Sequence, residues 1–600
     1  MIVLIRRQSC AAHRIVLVLA ILFSAVAAMA GQDEDRWWPV QSLPGALVRT
    51  PISPRDSLQM MVQSVAGLAA KAVNTGRGDE MVWVDNANVD MEEWYARLFV
   101  MHPEVQKRGT FGPWELVDRY ARLDIVKGYI LYRLDKTQGD GNNAGNGLDC
   151  SVNVATSMAG LLDGVLVDET LETEAQAHGL KLLLDARGKT QQWCFQTYQG
   201  QFNRRMLCLQ DPRKPHIRDL AIAQRTFTAF GHDASIPAAM KWLEPLSPIL
   251  GCNGGDEFEN TGLSTRYGDI QTATDWCMNL PVLMAGTEKL NRPIAKTFDP
   301  ATIDWSDQRS AVSFIDSDGD NVQWFEGNFF HGSDSYWHNP NRGKTPFSWS
   351  CCFAQLAQLC PEAVEYAMAT RTTNDSFVEW GGGYYYPDHF GLDRTNRWEL
   401  LGRQARRTWK LMKKTGTRII GFNVIRCDSP EAREAYEVFA RQTDGLLAIL
   451  AFQYSPYEGG AGQTFWVKDS RGIDVPVITA RYSIWANSND RERAGTPARI
   501  ARAIRETVQK TPLPQRPRYD WVVAHVWSNF KKAPGAGENA EDMPQQDPSA
   551  HGGEAGYSPV LWCAERLPSS IRVIRPEELA WRIRMKHNPL QTRQCLPQFR

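Results

Sequence analysis

Between residues 311 and 574 the chain repeats one pattern eight times: a short apolar run, then a polar or glycine-rich segment, then in most repeats a stretch with helical spacing. The runs are AVSFID (311–316), TPFSWS (345–350), SFVEW (376–380), RIIGFNVI (418–425), LLAILAF (446–452), VPVITA (475–480), WVVAHVW (521–527) and IRVI (571–574). Helical spacing follows at CCFAQLAQLCPEAVEYAM (351–368), EAREAYEVFARQ (431–442) and ARIARAIRETVQ (498–509). Eight strand–helix units over about 280 residues match the size and order of a (β/α)8 barrel. A doubly wound open sheet fits nearly as well. The stretch 531–556 is rich in Pro, Gly, Gln and acid with almost no apolar residue, and reads as a disordered insertion before the last unit.

A chain of 600 residues exceeds what one core holds, so at least two domains are expected. From about 80 to 290 strand and helix patterns alternate, which favours a layered α/β arrangement. EMVWVD (80–85) and IVKGYILYR (125–133) read as strands, 90–101 and 154–164 as helices, and LKLLLDAR (180–187) as either. No G-x-G-x-x-G follows a strand there, so the dinucleotide fingerprint is missing. QGDGNNAGNG (138–147) is too rich in Gly and Asn for regular structure. The expected division is a leader at 1–30, an N-terminal α/β region at 31–295 and a C-terminal domain at 305–590.

The leader rests on Arg6, Arg7 and Arg14 ahead of IVLVLAILFSAVAA (15–28), with Ala28 and Ala30 forming an A-x-A cleavage pattern. That apolar run is shorter than the about 20 residues a spanning helix needs, so a secreted or periplasmic chain with no membrane span after cleavage is expected. The 67 basic and 68 acidic residues leave a formal charge of -1, which removes the broad electrostatic argument for a nucleic-acid partner. Of the 12 Cys, Cys351 and Cys352 read as buried strand residues, and no spacing resembles a zinc site.

In a barrel, reactive groups sit on the loops that follow the strands. FIDSDGDNVQW (314–324) occupies that place after the first run, with Asp316, Asp318, Asp320 and Asn321. Three readings stay open. The stretch begins like a calcium loop, but has Asn321 where the turn wants Gly and Gly327 where the bidentate Glu belongs. Paired carboxylates suit glycoside hydrolysis, where one protonates a leaving oxygen and another acts as base or nucleophile. A polar turn that caps the next helix is the third. Equivalent places carry Glu379, Tyr384 and Tyr386, then Asn423, then Tyr454, Tyr457 and Glu458, then Arg481 and Trp485, then His525, Trp527 and Asn529. Carboxylates, amides and aromatics without a basic cluster suit a neutral polyhydroxy ligand. No G-x-S-x-G nucleophile motif occurs.

GGGYYYPDHFG (381–391) is the second unusual segment: its glycines free the backbone and Pro387 fixes the exit. Gly381, Gly383, Tyr384, Tyr386 and Pro387 fit G-x-G-Y-x-Y-P, and the chain resembles the GxGYxYP family of putative glycoside hydrolases. SDGDNVQW (317–324) and NDSFVEW (374–380) look like that family's C-terminal domain, and 148–168 and 247–257 like its N-terminal region. The resemblance implies an α/β fold with an N-terminal region of several subdomains, a distorted TIM-barrel-like C-terminal domain, a groove between them, and a carbohydrate-directed role.

The expected function is therefore a secreted glycoside hydrolase acting on a polysaccharide or glycan. Asp320 or Glu379 is expected as general acid and Asp318 as base or nucleophile; Asn321, Trp324, Tyr384, Tyr386, Trp485, Tyr457 and His525 are expected to contact sugar. No cofactor is expected, with Ca2+ at 316–321 as the alternative. The competing function is a non-catalytic carbohydrate-binding protein. Asp256 and Glu257 read as surface turn residues that could line the groove.

Overall fold

The computed structural model describes residues 36–86, 88–137, 147–285, 298–490, 492–533, 542–545 and 553–599. The expected leader and nearly all of the glycine-rich loop 138–147 fall outside the described residues. Among the described residues no helix is long and apolar enough to cross a membrane.

The N-terminal half carries three separate parallel sheets in an α/β arrangement. The first pairs β1 (Ala46–Thr50) with β2 (Glu80–Val84) and β3 (Gln106–Thr110). The second pairs β4 (Gly128–Tyr132) with β5 (Gly164–Asp168) and β6 (Leu182–Asp185), so the ambiguous run at 180–187 is a strand. The third holds β7 (Leu207–Leu209), β8 (Thr228–Ala229), β9 (Pro248–Gly251) and β10 (Ile270–Thr272), in the order β10-β9-β7-β8. The helix Asp56–Asn74 joins these units, because Met60, Val65, Leu68 and Ala72 lie on several of its faces and all are buried.

All eight apolar runs of the C-terminal half become strands of one curled, largely parallel sheet. They are β11 (Ser310–Asp316), β12 (Phe347–Cys351), β13 (Asp375–Trp380), β14 (Ile419–Asn423), β15 (Ala448–Phe452), β17 (Asp474–Thr479), β20 (Tyr519–Ala524) and β23 (Ile571–Val573). Short strands β16 (Thr464–Lys468), β18 (Tyr482–Ile484) and β19 (Ala494–Gly495) extend it, with β16 antiparallel to β17. Only Ala480 and Arg481 separate β17 from β18. Ala480 N donates to Ala451 O beside β15, whereas Arg481 N donates to Trp521 O of β20. The line through β17 and β18 thus bonds to one flank of the sheet with its first part and to the other flank with its second. Trp380, Phe452 and Trp521 fill the concave side, with ring centroids 4.6 Å and 4.8 Å apart along the series.

Two local expectations change. The helical stretch 351–368 is two helices, Phe353–Leu359 and Pro361–Thr370, because Pro361 offers no N–H and displaces Cys360 from helical geometry. Within 531–556, β21 (Asn529–Lys531) pairs with β22 (Met543–Gln545) as an antiparallel hairpin, although the composition reads as disordered. The anchor is Asp542, which is buried and accepts from Ala533 N, Ala498 N and the Arg566 guanidinium at 3.0, 3.0 and 2.7 Å. Residues 534–541 and 546–552 lie outside the described residues. Each described cysteine is a free thiol, and Cys351 and Cys352 are fully buried as expected.

The third N-terminal sheet meets the curled sheet through loops that follow strands on both sides. Gln271 of β10 and Tyr384, just past β13, exchange backbone hydrogen bonds of 3.2 and 2.9 Å. Gln323 N, beyond β11, donates to Ala273 O beyond β10 at 3.1 Å. Loops at the carboxyl ends of parallel strands are where ligands of α/β sheets and barrels bind. Here two such ends share one cleft.

Candidate active site

The three aspartates after β11 separate by role. Asp316 ends the strand fully buried; its Oδ1 accepts from Ser350 N, and its backbone oxygen accepts from Ser350 Oγ at 3.0 Å. It belongs to the sheet. Asp318 adopts φ 64°, a left-handed conformation uncommon outside Gly, which turns the next residues sharply toward the cleft. Its carboxylate accepts from the Ser317 hydroxyl and the Trp527 indole, and Oδ2 lies 4.0 Å from His525 Nε2. Burial pushes its carboxyl up to about 6, against the pull of those two donors. Asp320 is held well above the usual carboxylate range, by burial first and then by the negative charges of Glu257 and Asp318.

Glu257 arrives from the other side of the cleft. Asp256 caps the helix Glu257–Arg266, its Oδ1 accepting from Phe258 N at 2.7 Å and Glu259 N at 3.2 Å. With that cap engaged, Glu257 reaches across to the loop after β13 and accepts from the Tyr384 hydroxyl. Although Glu257 is exposed at the cleft edge, its carboxyl is also raised, by the protein crowded around it and then by Asp318 and Asp256. Three carboxylates from the two halves of the chain meet here: Asp320 and Glu257 resist ionisation through burial and then their neighbours' charge, Asp318 through burial.

A polar floor supports them. Tyr384 and Tyr457 hydroxyls lie 3.0 Å apart, Tyr386 follows at 3.4 Å from Tyr457, and Asn423 Nδ2 donates to Tyr457 and Tyr454 hydroxyls at 3.1 and 3.2 Å. The Asn423 carbonyl oxygen is buried without a protein partner. The opposite wall is aromatic: Trp485 stacks on His525 at 3.6 Å and 8°, and Tyr454 leans on Trp485 at 4.8 Å. His525 Nδ1 is 2.7 Å from Ser528 Oγ, and burial lowers the imidazole to about 3, so the ring is neutral beside Asp318. Trp527 stands exposed above Trp324, with centroids 4.7 Å apart.

Asp318, Asp320, Tyr384, Tyr457, Trp485 and His525 therefore lie near one another, with the Tyr386 hydroxyl against that of Tyr457. Asn321 sits at the start of the helix Val322–Glu326 with its side-chain oxygen buried and without a protein partner. Trp324 is not a free sugar-facing surface: it is 5% exposed and boxed in by Phe325, Phe329, Tyr336 and Trp527, so it props Trp527 instead. Glu379 is fully buried below the mouth, accepting from Ala354 N at 2.9 Å and Gly382 N at 3.1 Å, and burial pushes it up to about 8. It ties β13 to its neighbours and stands apart from the carboxylate group. Glu257, which reads as a surface turn, is the residue that joins the site. Its signal is the strand-then-Gly-then-acid order of PILGCNGGDE, the same order that marks 314–320.

Among the described residues no group of three His, Cys, Asp or Glu side chains is arranged to hold a metal ion. A cavity of about 310 Å3 lies at the other end of the curled sheet, between Arg371, Ser376, Thr417 and Glu577, away from these carboxylates.

The glycines of the motif have a steric cause. Gly382 and Gly383 hold φ of 72° and 132°, and a Cβ would overlap Thr408 Oγ1 at the first and Ile270 Cγ2 at the second. Gly383→Ala is expected to lower the melting temperature by roughly 10 °C or to prevent soluble expression, since it forces β10 away from the motif. A melting temperature within 2 °C of wild type would contradict this.

Residues 309–533 match the family model described as GxGYxYP putative glycoside hydrolase C-terminal domain, and residues 126–202 match the GxGYxYP_N second domain. The fold is similar to the crystal structure of a putative hydrolase from Bacteroides thetaiotaomicron, with a TM-score of 0.71 at 19% identity over 92% of this chain and 96% of that one. Two structures of a domain of unknown function from Bordetella bronchiseptica reach TM-scores of only 0.12 and 0.11, at 11% and 12% identity over 73% of this chain and 94% of each of theirs, and carry no argument. No curated protein matches. On the two family matches, with the motif placed where two sheets meet, the chain belongs to the GxGYxYP family.

Proposed function

We propose that the protein is an exported glycoside hydrolase, that its curled sheet is a distorted TIM-barrel-like domain, and that the cleft cuts a glycosidic bond by carboxylate acid–base chemistry. The observation that carries this reading is the convergence of Asp318, Asp320 and Glu257 on one aromatic-walled cleft between two strand-end faces. The division of labour follows from environment. A general acid must keep its proton at working pH, and Asp320, buried and repelled by two carboxylates, is the group that does so. A base or nucleophile must be ionised, and Asp318, with two hydrogen-bond donors and a carboxyl near 6, is the group that gives up its proton first.

In this scheme a sugar ring rests between Trp485 and Trp527, its hydroxyls meeting the edge of the cleft. Asp320 protonates the leaving oxygen as the glycosidic C–O bond breaks. Asp318 stabilises the positive charge that develops at the anomeric carbon, either by attacking it or by deprotonating the water that does. Glu257 opposes the ionisation of Asp320 and so helps keep the proton where it is used. The Asp318–Asp320 carboxyl separation with substrate bound decides the outcome: about 5 to 5.5 Å gives retention and about 6.5 to 9.5 Å gives inversion.

A pH profile tests the assignment. The rate should rise as Asp318 ionises through about 6 and fall at higher pH as Asp320 loses its proton, giving a bell. Glu257→Gln removes the charge that opposes Asp320 ionisation, so the alkaline limb should move to lower pH while the acid limb shifts less. An unmoved alkaline limb in that variant would exclude Asp320 as the acid. Dialysis against a chelator should leave the activity unchanged; loss restored by Ca2+ would favour a metal at 316–321 instead.

A further inference from the structure

Near the carboxylates, on the loop after β10, stands an aromatic ring that the proposed reaction does not use. Trp276, on the loop after β10, is 57% exposed, although Trp is among the side chains with the most to gain from burial. Its position is set from several sides. Its backbone N–H donates to Gln323 Oε1 at 2.7 Å, and Gln323 lies on the short helix that begins directly after Asp320 and Asn321. The Lys214 ammonium lies 3.9 Å from the ring centroid, within cation–π range. Lys214 is in turn held by Asp275 at 2.7 Å, and the His216 ring meets the indole edge at 5.2 Å and 61°.

Lys214 and His216 come from the loop after β7, Trp276 and Asp275 from the loop after β10, and Glu257 from the loop after β9. All stand at the carboxyl ends of the third sheet, where such sheets present ligand-binding loops. The Cys252 thiol sits within electrostatic reach of Asp275, Glu257, Lys214 and Asp320 together, and the Trp276–Gln323 hydrogen bond ties the indole to the helix that follows Asp320, so the braced indole and the carboxylates are neighbours. An indole with one face covered by an ammonium and the rest open is a rigid, flat, apolar shelf. The apolar C–H face of a pyranose ring is the chemistry that fits it.

We propose that Trp276, braced by Lys214 and His216, is the platform of a separate sugar subsite, so that the cleft binds a polysaccharide chain of several units and not a single glycosyl residue. The identity of the ligand as glycan rests on the function proposed above; the platform itself rests on the geometry of Trp276.

The test compares wild type, Trp276→Ala and Trp276→Phe in two assays. In native gels containing soluble β-glucan, xylan, galactomannan or pectin, wild type should be retarded by at least one polymer. Trp276→Ala should lose most of that retardation and Trp276→Phe should recover part. In kinetics, Trp276→Ala should raise KM for the retarding polymer by about tenfold while kcat/KM for a nitrophenyl monoglycoside stays within twofold, as loss of one stacking contact predicts. Equal losses on polymer and monoglycoside would overturn the subsite, as would retardation that the Ala variant keeps. Retardation of wild type by none of the polymers overturns it as well. Retardation that depends on Trp276 in a protein that hydrolyses nothing would keep the platform and sink the hydrolase, so the two failures are distinguishable.

Discussion

Asp320→Asn is expected to cut kcat on an unactivated glycan by about a thousandfold while hydrolysis of a dinitrophenyl glycoside stays within about tenfold of wild type. Such a leaving group departs without a proton, so only the acid's role is bypassed. Asp318→Asn is expected to abolish both reactions, because the positive charge at the anomeric carbon then has no anionic partner. Equal losses on the two substrates in Asp320→Asn would remove Asp320 from the acid role. Stability should move the other way. The Asp318 carboxyl rises from 3.8 to about 6 on folding, so the native state binds the proton more tightly than the unfolded chain. Relative stability is then full below pH 3.8, falls as pH rises toward 6, and stays low above it. The free energy at stake is at most about 3 kcal/mol, and less because the side chain keeps 26% of its exposure. Asp318→Asn should therefore melt at a higher temperature than wild type at pH 7.5 and at the same temperature near pH 3. A lower melting temperature at pH 7.5 would mean that the carboxylate is a structural partner and not a strained functional group.

Glu379→Ala is expected to lose about 3 to 5 kcal/mol of stability, the largest structural effect of any change at the predicted site residues. It opens a void in the sheet and leaves Ala354 N and Gly382 N without acceptors, and the second of these holds the glycine turn of the motif. Glu379→Gln should cost less, since one oxygen still accepts while the amide nitrogen faces a donor. The folded fraction of Glu379→Gln should keep kcat within about threefold, as expected for a group outside the reacting cluster. Its carboxyl is raised from 4.5 to about 8, so the stability this residue contributes is full below pH 4.5, falls as pH rises toward 8 and stays low above it. The Gln variant should lack that decline. A kcat loss of a hundredfold or more with an unchanged melting curve would return Glu379 to catalysis.

Much of the fold is written locally. Eight apolar runs in the C-terminal half become eight strands because all but the last, β23, are buried on both faces over most of their length, which demands continuous apolar sequence of strand length. The break at Cys360–Pro361 was equally available, since proline ends a helix by its own chemistry. The hairpin within 531–556 was not: Asp542 orders it through Arg566 and Ala498, which are distant in sequence, and composition carries no trace of such partners.

The site divides along the same line. That an acidic loop follows β11 and that a glycine-rich motif follows β13 could be read from residue order, because strand, loop and spacing are properties of neighbours. Which aspartate faces the cleft could not. Asp316 and Asp318 are both acids two positions apart, and only the left-handed turn at Asp318 and the Ser350 contacts of Asp316 part them. Glu379 looked like Asp320 in sequence, yet one carboxyl meets two backbone N–H groups and the other meets two carboxylates. Glu257 reads from the sequence as a surface turn residue that could line the groove; it joined the aspartates, and Trp276 came near them, only when the third sheet settled its strand ends against those of the curled sheet. Local order decides where polar chemistry sits along the chain. Burial and charge at each carboxyl depend on what packs around it, and that is decided by the tertiary structure alone.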